Sequence, residues 1–274
     1  MTQPVSPWQI HAFDPARYLE LLGVEPGPPS LDLLERIHHA HGHAFSFTNI
    51  DVLLGRHPGV EPATVARRML QEGLGGYCYE HAQLMAAVLE QLGFTVHRRL
   101  GRVHSHASTR THMSLDVELE GRLWFLDPGF GLSITGPLER EDGAQREEWF
   151  GTMSLHRLET ADGSAEAWEL RRGEDLQHIT DLFEVVPADV PAAHHITSTM
   201  VGGGPMRTNL IFGRYVEGGH VMITRDARTV RRDGEPTEHE EITLGQAFEA
   251  IAELGYPLDR DTVWELEQVL DSTG

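Results

Sequence analysis

At Gly93 the spacing of apolar residues changes from the period of a helix to the period of a strand, and that switch limits what this chain can fold into. Upstream, Asp14-Pro15 followed by Tyr18, Leu19, Leu21, Leu22 and Gly23 reads as an N-cap, a proline at the first helical position, an apolar stripe and a closing glycine. Ser30 caps a second stripe of Leu31, Leu34, Ile37 and His38. A third helix runs near Ala63 to Gln71 with Val65, Ala66, Met69 and Leu70 on one side. A fourth starts at Cys78 and carries Leu84, Met85, Val88, Leu89 and Leu92 up to Gly93. Downstream, Leu115, Val117 and Leu119 alternate with polar neighbours, and Glu120-Gly121 turns the chain into Leu123-Trp124-Phe125-Leu126. Trp168 to Arg171 and Asn209 to Val216 continue as strands, with Glu217-Gly218-Gly219 as another turn. Thr243 and Gln246 form a capping box for a last helix over Ala247, Ile251 and Leu254, closed by Gly255. Helices, then antiparallel strands, then a mixed tail give an α+β fold of two or three small layers around one cleft.

The bulk numbers exclude several classes of function. A formal net charge of -20 leaves no basic face for nucleic acid or an anionic membrane. An anionic cofactor then needs a local cluster of arginines. A single cysteine excludes an internal disulfide and a cysteine-rich zinc site. A lone thiol suits a reducing cytoplasm, and Met1-Thr2-Gln3-Pro4 does not open a signal peptide. No apolar run approaches the roughly 18 residues of a membrane span. The expectation is a cytoplasmic protein.

Gly75-Gly76-Tyr77-Cys78-Tyr79-Glu80 is the centre of the chemistry. Two glycines let the backbone turn sharply and approach a ligand. They place Cys78 at a helix N-terminus, where the dipole and free N–H groups favour a thiolate. A buried small hydrophobe at the start of a core helix fits the same residue. Thr111-His112-Met113 opens a strand, and Leu126-Asp127-Pro128-Gly129-Phe130-Gly131 ends its hairpin partner, so His112 and Asp127 come side by side. A base beside a thiol, oriented by a carboxylate, is how cysteine nucleophiles are activated. A surface histidine and a turn-forming Asp-Pro-Gly are the plainer alternatives.

With these three segments in this order the chain resembles the arylamine N-acetyltransferase family, whose motifs are RGGxC, TH and DxGFG. Tyr18-Leu19 to Gly23, Phe47 and Asn49 before Asp51-Val52-Leu53-Leu54-Gly55, and Thr197-Ser198-Thr199 before Asn209-Leu210 extend the resemblance over nearly the whole chain. It implies a helical bundle, a β-barrel and an α/β lid around a cysteine-protease-like catalytic core. The expected partition is a bundle at 1–93 carrying the nucleophile, a barrel at 94–187 carrying His112 and Asp127, an interdomain segment at 188–206, and a lid at 207–274. Val201-Gly202-Gly203-Gly204-Pro205 is the candidate flexible junction. The sequence departs from the family at three points: Leu74 replaces the motif arginine, Ala82 an asparagine four residues after the cysteine, and Ser46-Phe47-Thr48-Asn49 the stretch PFEN. Leucine is no electrostatic substitute for a guanidinium fork.

The resemblance implies an acetyl-CoA-dependent, two-step transfer. Cys78 takes the acetyl group, His112 shuttles the proton, Asp127 orients His112, and CoA leaves before the acceptor enters. The acceptor it implies is an aromatic amine, an arylhydrazine or an N-hydroxyarylamine. Ser108, Thr109, Arg110 and Thr111, just before the catalytic histidine, correspond to a cofactor-holding loop; a solvated hairpin loop is the alternative. Phe130 and Phe47 are candidate walls of an aryl pocket, with core packing the alternative for Phe47. The clusters His38, His39, His41, His43 and His194, His195 lack a carboxylate-rich companion, so solvated or capping histidines and no metal are expected. Three rivals share the Cys, His, Asp order or the fold: a papain- or transglutaminase-like enzyme, an amide synthase, and a binding protein without activity. Oligomeric state stays open.

Overall fold

The structure, a computed structural model, describes residues 6–159, 166–199 and 205–271. Of the stretch Val201–Pro205, expected as a flexible junction, residues 201–204 lie outside them.

The N-terminal helices form where the caps predict. In α1 (Ala16–Leu22) the Asp14 carboxylate accepts from Ala16 N at 2.9 Å, and Gly23 closes the helix at φ 62°. In α2 (Leu31–Ala44) Ser30 Oγ accepts from Leu33 N at 3.2 Å. After α3 (Ile50–Leu53) the expected third helix is α4 (Pro62–Ala66) running into a π turn at Arg67–Gln71. A π turn widens the helix, and here three consecutive residues, Arg68, Met69 and Leu70, all face inward. Helix α5 (Cys78–Gln91) is buried from Cys78 through Leu89, which makes it the central element and not a surface helix.

Beyond Gly93 the chain forms a nearly closed antiparallel barrel. Its strands are β2 (Thr95–Val103), β3 (Arg110–Leu119), β4 (Arg122–Leu126), β5 (Leu138–Glu139), β6 (Gln145–Glu148), β7 (Gly151–Glu159), β8 (Glu166–Arg172) and β9 (Asp175–Asp181). They lie side by side in the order β5-β4-β3-β2-β9-β8-β7-β6. The β3–β4 hairpin turns on Glu120 at φ 54° and Gly121 at φ 76°, the left-handed pair that a two-residue turn requires. Helix α5 packs its apolar face on Leu100, Met113, Leu115 and Val117, so the helix that begins at Cys78 and the barrel share one core.

Helices α6 (Asp189–Thr199) and α7 (Pro205–Thr208) lead to the C-terminal sheet: β10 (Ile211–Val216), β11 (Gly219–Thr224), β12 (Ala227–Arg232) and β13 (Glu238–Glu241). Helices α8 (Leu244–Glu253) and α9 (Arg260–Asp271) follow, and α8 carries the expected Thr243–Gln246 capping box. One strand of this sheet comes from the N-terminal half. β1 (Phe47–Thr48) pairs with β10, Phe47 opposite Gly213. Next to it Asn49 donates to the carbonyls of Met206 (3.0 Å) and Asn209 (2.7 Å) and accepts from Ile211 N at 2.9 Å. Ile50 and Leu53 then enter the core of Phe212, Ile223, Phe248 and Leu266. The C-terminal layer is thus stitched to the segment just before the Gly-Gly turn. Among the described residues no helix is long and apolar enough to cross a membrane.

Candidate active site

The turn before Cys78 leaves no room for side chains. A Cβ on Gly75 would lie 2.2 Å from the Ser46 carbonyl oxygen, and one on Gly76 would lie 2.6 Å from Glu80 Cβ. The close approach lets Gly76 N donate to Ser46 O at 3.1 Å and Thr48 N donate to Gly76 O at 2.8 Å, so β1 braces the turn. Cys78 is the first residue of α5 and is 5% exposed. Its sulfur lies 3.7 Å from the Thr111 carbonyl oxygen, one residue before His112. Glu80 Oε2 accepts from Tyr77 N at 3.2 Å and so caps the helix that carries the thiol.

His112 lies on β3 opposite Gly101 of β2, and the hairpin brings it to Asp127 as the spacing predicts. Nε2 of His112 donates to Oδ1 of Asp127 at 3.0 Å, both groups being buried. That leaves Nδ1 facing the Cys78 thiol, which is a hydrogen-bonding neighbour of the ring. Burial alone would favour a neutral imidazole. The Asp127 charge and hydrogen bond, helped by Cys78, override it and raise the His112 pKa to about 10. Burial acts against the Asp127 carboxylate too, yet His112 and a second imidazole, His178, hold it well below the ordinary carboxylate range. Its Oδ2 accepts from His178 Nε2 at 3.1 Å and from Ser133 Oγ at 2.9 Å. Burial and the neighbouring His112 charge lower His178 to about 4.

Gly129 explains how the aspartate loop comes so close. A Cβ there would meet Cys78 Cα at 2.8 Å and His81 Cβ at 2.9 Å. Phe130 is half-buried, its ring centroid 5.1 Å from His112, 5.3 Å from His178 and 5.9 Å from His104. Phe47 is buried, its ring stacked on His81 with centroids 6.5 Å apart. The cavity lined by His38, Asp127 and Phe130 is only about 20 Å³, and two larger ones lie elsewhere. One of about 350 Å³ is lined by Arg56, Arg68, Leu74 and Tyr256, and one of about 580 Å³ by Leu19, Val24 and Leu92. Size is therefore a poor guide to the chemistry here, and the thiol with its hydrogen-bonded partners is the better one.

The N-acetyltransferase family profile matches residues 30–259. The chain belongs to the arylamine N-acetyltransferase family. It is 35% identical to the arylamine N-acetyltransferase of Mycolicibacterium smegmatis over 95% of this chain and 100% of that protein. It is 37% identical to the arylamine N-acetyltransferase / N-hydroxyarylamine O-acetyltransferase of Salmonella typhimurium, over 47% of this chain and 46% of that protein. That match spans about half the length of the relative. Among solved structures, the arylamine N-acetyltransferase from Mycobacterium abscessus superposes with a TM-score of 0.89 at 25% identity, covering 99% of each chain. The Mycobacterium marinum enzyme in complex with CoA shares the fold, with a TM-score of 0.79 at 23% identity, covering 95% of this chain and 99% of that one. The α+β architecture is that of the family, and the chain is an acyltransferase.

The departures from the arylamine N-acetyltransferase pattern have visible consequences. Leu74 packs into the C-terminal core. A guanidinium reaches Glu80 all the same: Arg68, buried by the π turn, donates to Glu80 Oε1 at 3.0 Å and to Asp51 Oδ2 at 2.6 Å. Its acidic partners offset burial and raise its pKa. Burial opposes both carboxylates, yet His57 with Arg68 lowers the pKa of Glu80, and Arg56 with Arg68 lowers that of Asp51. The sequence reading missed Arg68 because a π turn leaves no signature in helical periodicity.

Arg110 is not the lone loop cation expected. It opens β3, and its Nε donates to Asp181 Oδ2 at 2.5 Å while Arg102 donates to Oδ1 at 2.8 Å. The guanidinium also lies over the Phe183 ring at 5.2 Å. β9 runs beside β2 and brings Asp181 to both arginines, a pairing that the distance along the chain concealed. In the turn leading into β3 Ser108 is half-buried and Thr109 exposed, and Thr111, the second residue of β3, is half-buried.

The histidine clusters also need correcting, since three of their members are buried. His38 lies against Asp127 with its pKa lowered to about 4, first of all by burial. His194 meets the Tyr77 hydroxyl through Nδ1. His41 belongs to a chain whose tautomers are set by its end. His81 Nε2 faces two carbonyls, Gly76 O at 3.1 Å and Ser46 O at 3.3 Å, so it carries the proton. His81 Nδ1 therefore accepts from His41 Nε2 at 2.8 Å, and His41 Nδ1 accepts from the Tyr18 hydroxyl at 2.9 Å. His41, His81 and His194 are core hydrogen-bond partners; His39, His43 and His195 are exposed as expected. Among the described residues, His112, Asp127 and His178 offer metal-ligand atoms within 4.8 Å of one another. Two of the separations, 3.0 and 3.1 Å, are the hydrogen bonds to Asp127 already described.

Proposed function

We propose that this acyltransferase moves an acetyl group from acetyl-CoA to an aromatic amine, arylhydrazine or N-hydroxyarylamine through an acetyl thioester on Cys78. The observation that carries the reading is the buried His112–Asp127 hydrogen bond beside the only thiol of the chain. His112 Nδ1 takes the thiol proton, and the sulfur attacks the acetyl carbonyl carbon. The carbonyl pair moves onto oxygen, facing backbone N–H groups in the first turn of α5, and returns as the bond to the CoA sulfur breaks. The proton on His112 leaves with CoA. In the second half the acceptor nitrogen attacks, gives its proton to His112, and Cys78 departs as the thiolate. An aromatic amine suits this step because it is uncharged at neutral pH.

Ser108, Thr109, Arg110 and Thr111 contact the CoA phosphates in this reading. Support comes from charge: Arg102 and Arg110 share one carboxylate, Asp181, which leaves a local surplus of one positive charge on a protein of net charge -20. Phe130 forms a wall for the aryl group, and Phe47 supports it from beneath. The reading places the enzyme in the cytoplasm, where a lone reactive thiol stays reduced.

The test is intact-protein mass after mixing with acetyl-CoA. One added acetyl group that Cys78→Ser abolishes is the expected result. No added mass, or a gain that survives in Cys78→Ser, overturns the reading.

A further inference from the structure

We propose that His178 is a positioning residue whose Nε2–H, bonded to Oδ2 of Asp127, fixes the carboxylate that orients His112 and, through it, Cys78. The proposal rests on Cys78, His112 and Asp127 being the reacting set.

Asp127 is 1% exposed, so water cannot satisfy its second oxygen. Oδ1 is committed to His112 at 3.0 Å. A carboxylate held by one bond pivots about its χ2 torsion, which has broad minima. Donors on Oδ2 remove that freedom, and among the described residues there are two: Ser133 at 2.9 Å from the same loop, and His178 at 3.1 Å from β9. The serine moves with the aspartate loop. His178 is anchored in another strand, so of the two donors on Oδ2 it is the one that ties the carboxylate to the barrel that also carries His112.

The barrel is shaped to bring His178 there. Gly101 faces His112 across the β2–β3 pair and Thr180 across the β2–β9 pair, at a register shift. A Cβ on Gly101 would lie 2.6 Å from the Ile179 carbonyl oxygen, so only glycine admits β9 this closely. The His178 ring centroid then lies 4.5 Å from that of His112, with Phe125 and Phe130 at 5.8 and 5.3 Å.

The choice of a neutral donor follows from charge. His178 faces His112, Asp127 and Arg140. An imidazolium or guanidinium in its place would compete with His112 for the single negative charge of Asp127. With Nε2 protonated toward the carboxylate, Nδ1 is the acceptor and faces the Thr180 hydroxyl at 3.4 Å. The lowered pKa of His178 agrees with that neutral form.

The experiment follows Cys78 acetylation by rapid quenching and intact mass, with acetyl-CoA titrated, in wild type, His178→Phe and His178→Gln. Phenylalanine keeps a ring and loses the donor; glutamine restores an N–H at similar reach. His178→Phe should lower the maximal acetylation rate tenfold to a hundredfold, the range for losing a hydrogen bond to a charged group, with the half-saturating acetyl-CoA unchanged. His178→Gln should recover most of that loss. A rate in His178→Phe within twofold of wild type overturns the proposal, and so does a glutamine variant as slow as the phenylalanine one. Nitrogen-15 spectra of histidine-labelled wild type give a second measure that needs no folded variant. His178 neutral and protonated on Nε2 at pH 7 supports the proposal; a proton on Nδ1 overturns it. If wild-type Cys78 takes up no acetyl group, the functional reading itself has failed, whatever the tautomer of His178.

Discussion

Replacing Asp127 by Asn keeps the size of the side chain and removes the charge that keeps His112 protonated. The magnitude follows from the two states of His112. In the folded protein its pKa is raised to about 10 from an ordinary 6.5, because the Asp127 charge and hydrogen bond outweigh burial. A group raised in this way stabilises the fold fully below about 6.5 and loses that contribution as pH rises through about 10. Within this window the slope is about 1.4 kcal/mol per pH unit, so about three pH units remove ~4 kcal/mol. That agrees with the ~3–5 kcal/mol for deleting one partner of a buried ion pair. On the acid side, Asp127 is held below the ordinary range, so its contribution is present above about pH 3.9 and is lost only as pH falls through its depressed value. The assay is urea unfolding of wild type and Asp127→Asn at pH 6, 8 and 9.5. Other titrating groups are common to both proteins and cancel in the difference. The gap should be ~3–5 kcal/mol near pH 6 and shrink steadily toward pH 10. A gap that is constant or grows with pH refutes the idea that Asp127 holds an imidazolium. Acetylation of Cys78 should fall by about 10³- to 10⁴-fold, as when such a triad loses its carboxylate.

Cys78→Ala should fold and leave less than about one thousandth of wild-type transfer, measured by product formation, because no other thiol can carry the acyl group. Arg110→Ala should raise the acetyl-CoA concentration needed for half-maximal rate and leave the amine requirement unchanged; an unaltered acetyl-CoA titration means that this cation only pairs with Asp181. Gly129→Ala should destabilise the fold by about 1–3 kcal/mol in chemical unfolding, since its Cβ would press on Cys78 Cα and His81 Cβ. It should also slow Cys78 acetylation, because the loop that moves away carries Asp127.

What could be read from the sequence was whatever depends on short range. The Ser30 and Thr243 caps, the Glu120-Gly121 turn and the His112–Asp127 encounter each involve one element or one hairpin, where spacing along the chain is spacing in space. Arg68 was hidden for a different reason. A helix-period reading places Met69 and Leu70 on a face and leaves Arg68 off it, and only the π turn brings all three inward. The buried histidines were misread because the residue type alone argues for solvent. Their partners, Tyr18 for His41 and Tyr77 for His194, are 23 and 117 positions away. A sequence shows that a histidine is present, but its burial depends on a donor or acceptor supplied by another layer.

The same reasoning separates His178 from His112, although both donate to one carboxylate. His112 is tied to Asp127 by a hairpin, 15 positions apart, and a motif marks it. His178 is 51 positions from Asp127, and three strands, β5, β6 and β7, lie between the Asp127 loop and the β8–β9 hairpin that carries it. Its place depends on barrel closure, in which β9 pairs with β2 and not with a neighbour in sequence on that side. The His178 side chain is buried, but so is every residue from Gln177 through Thr180, and no alternation along β9 marks it. An inward histidine in a barrel needs a partner, and the only way to name the partner is to know which strand closes on which. That is why the encounter of His112 with Asp127 was legible, while the second imidazole on that carboxylate came only with the fold.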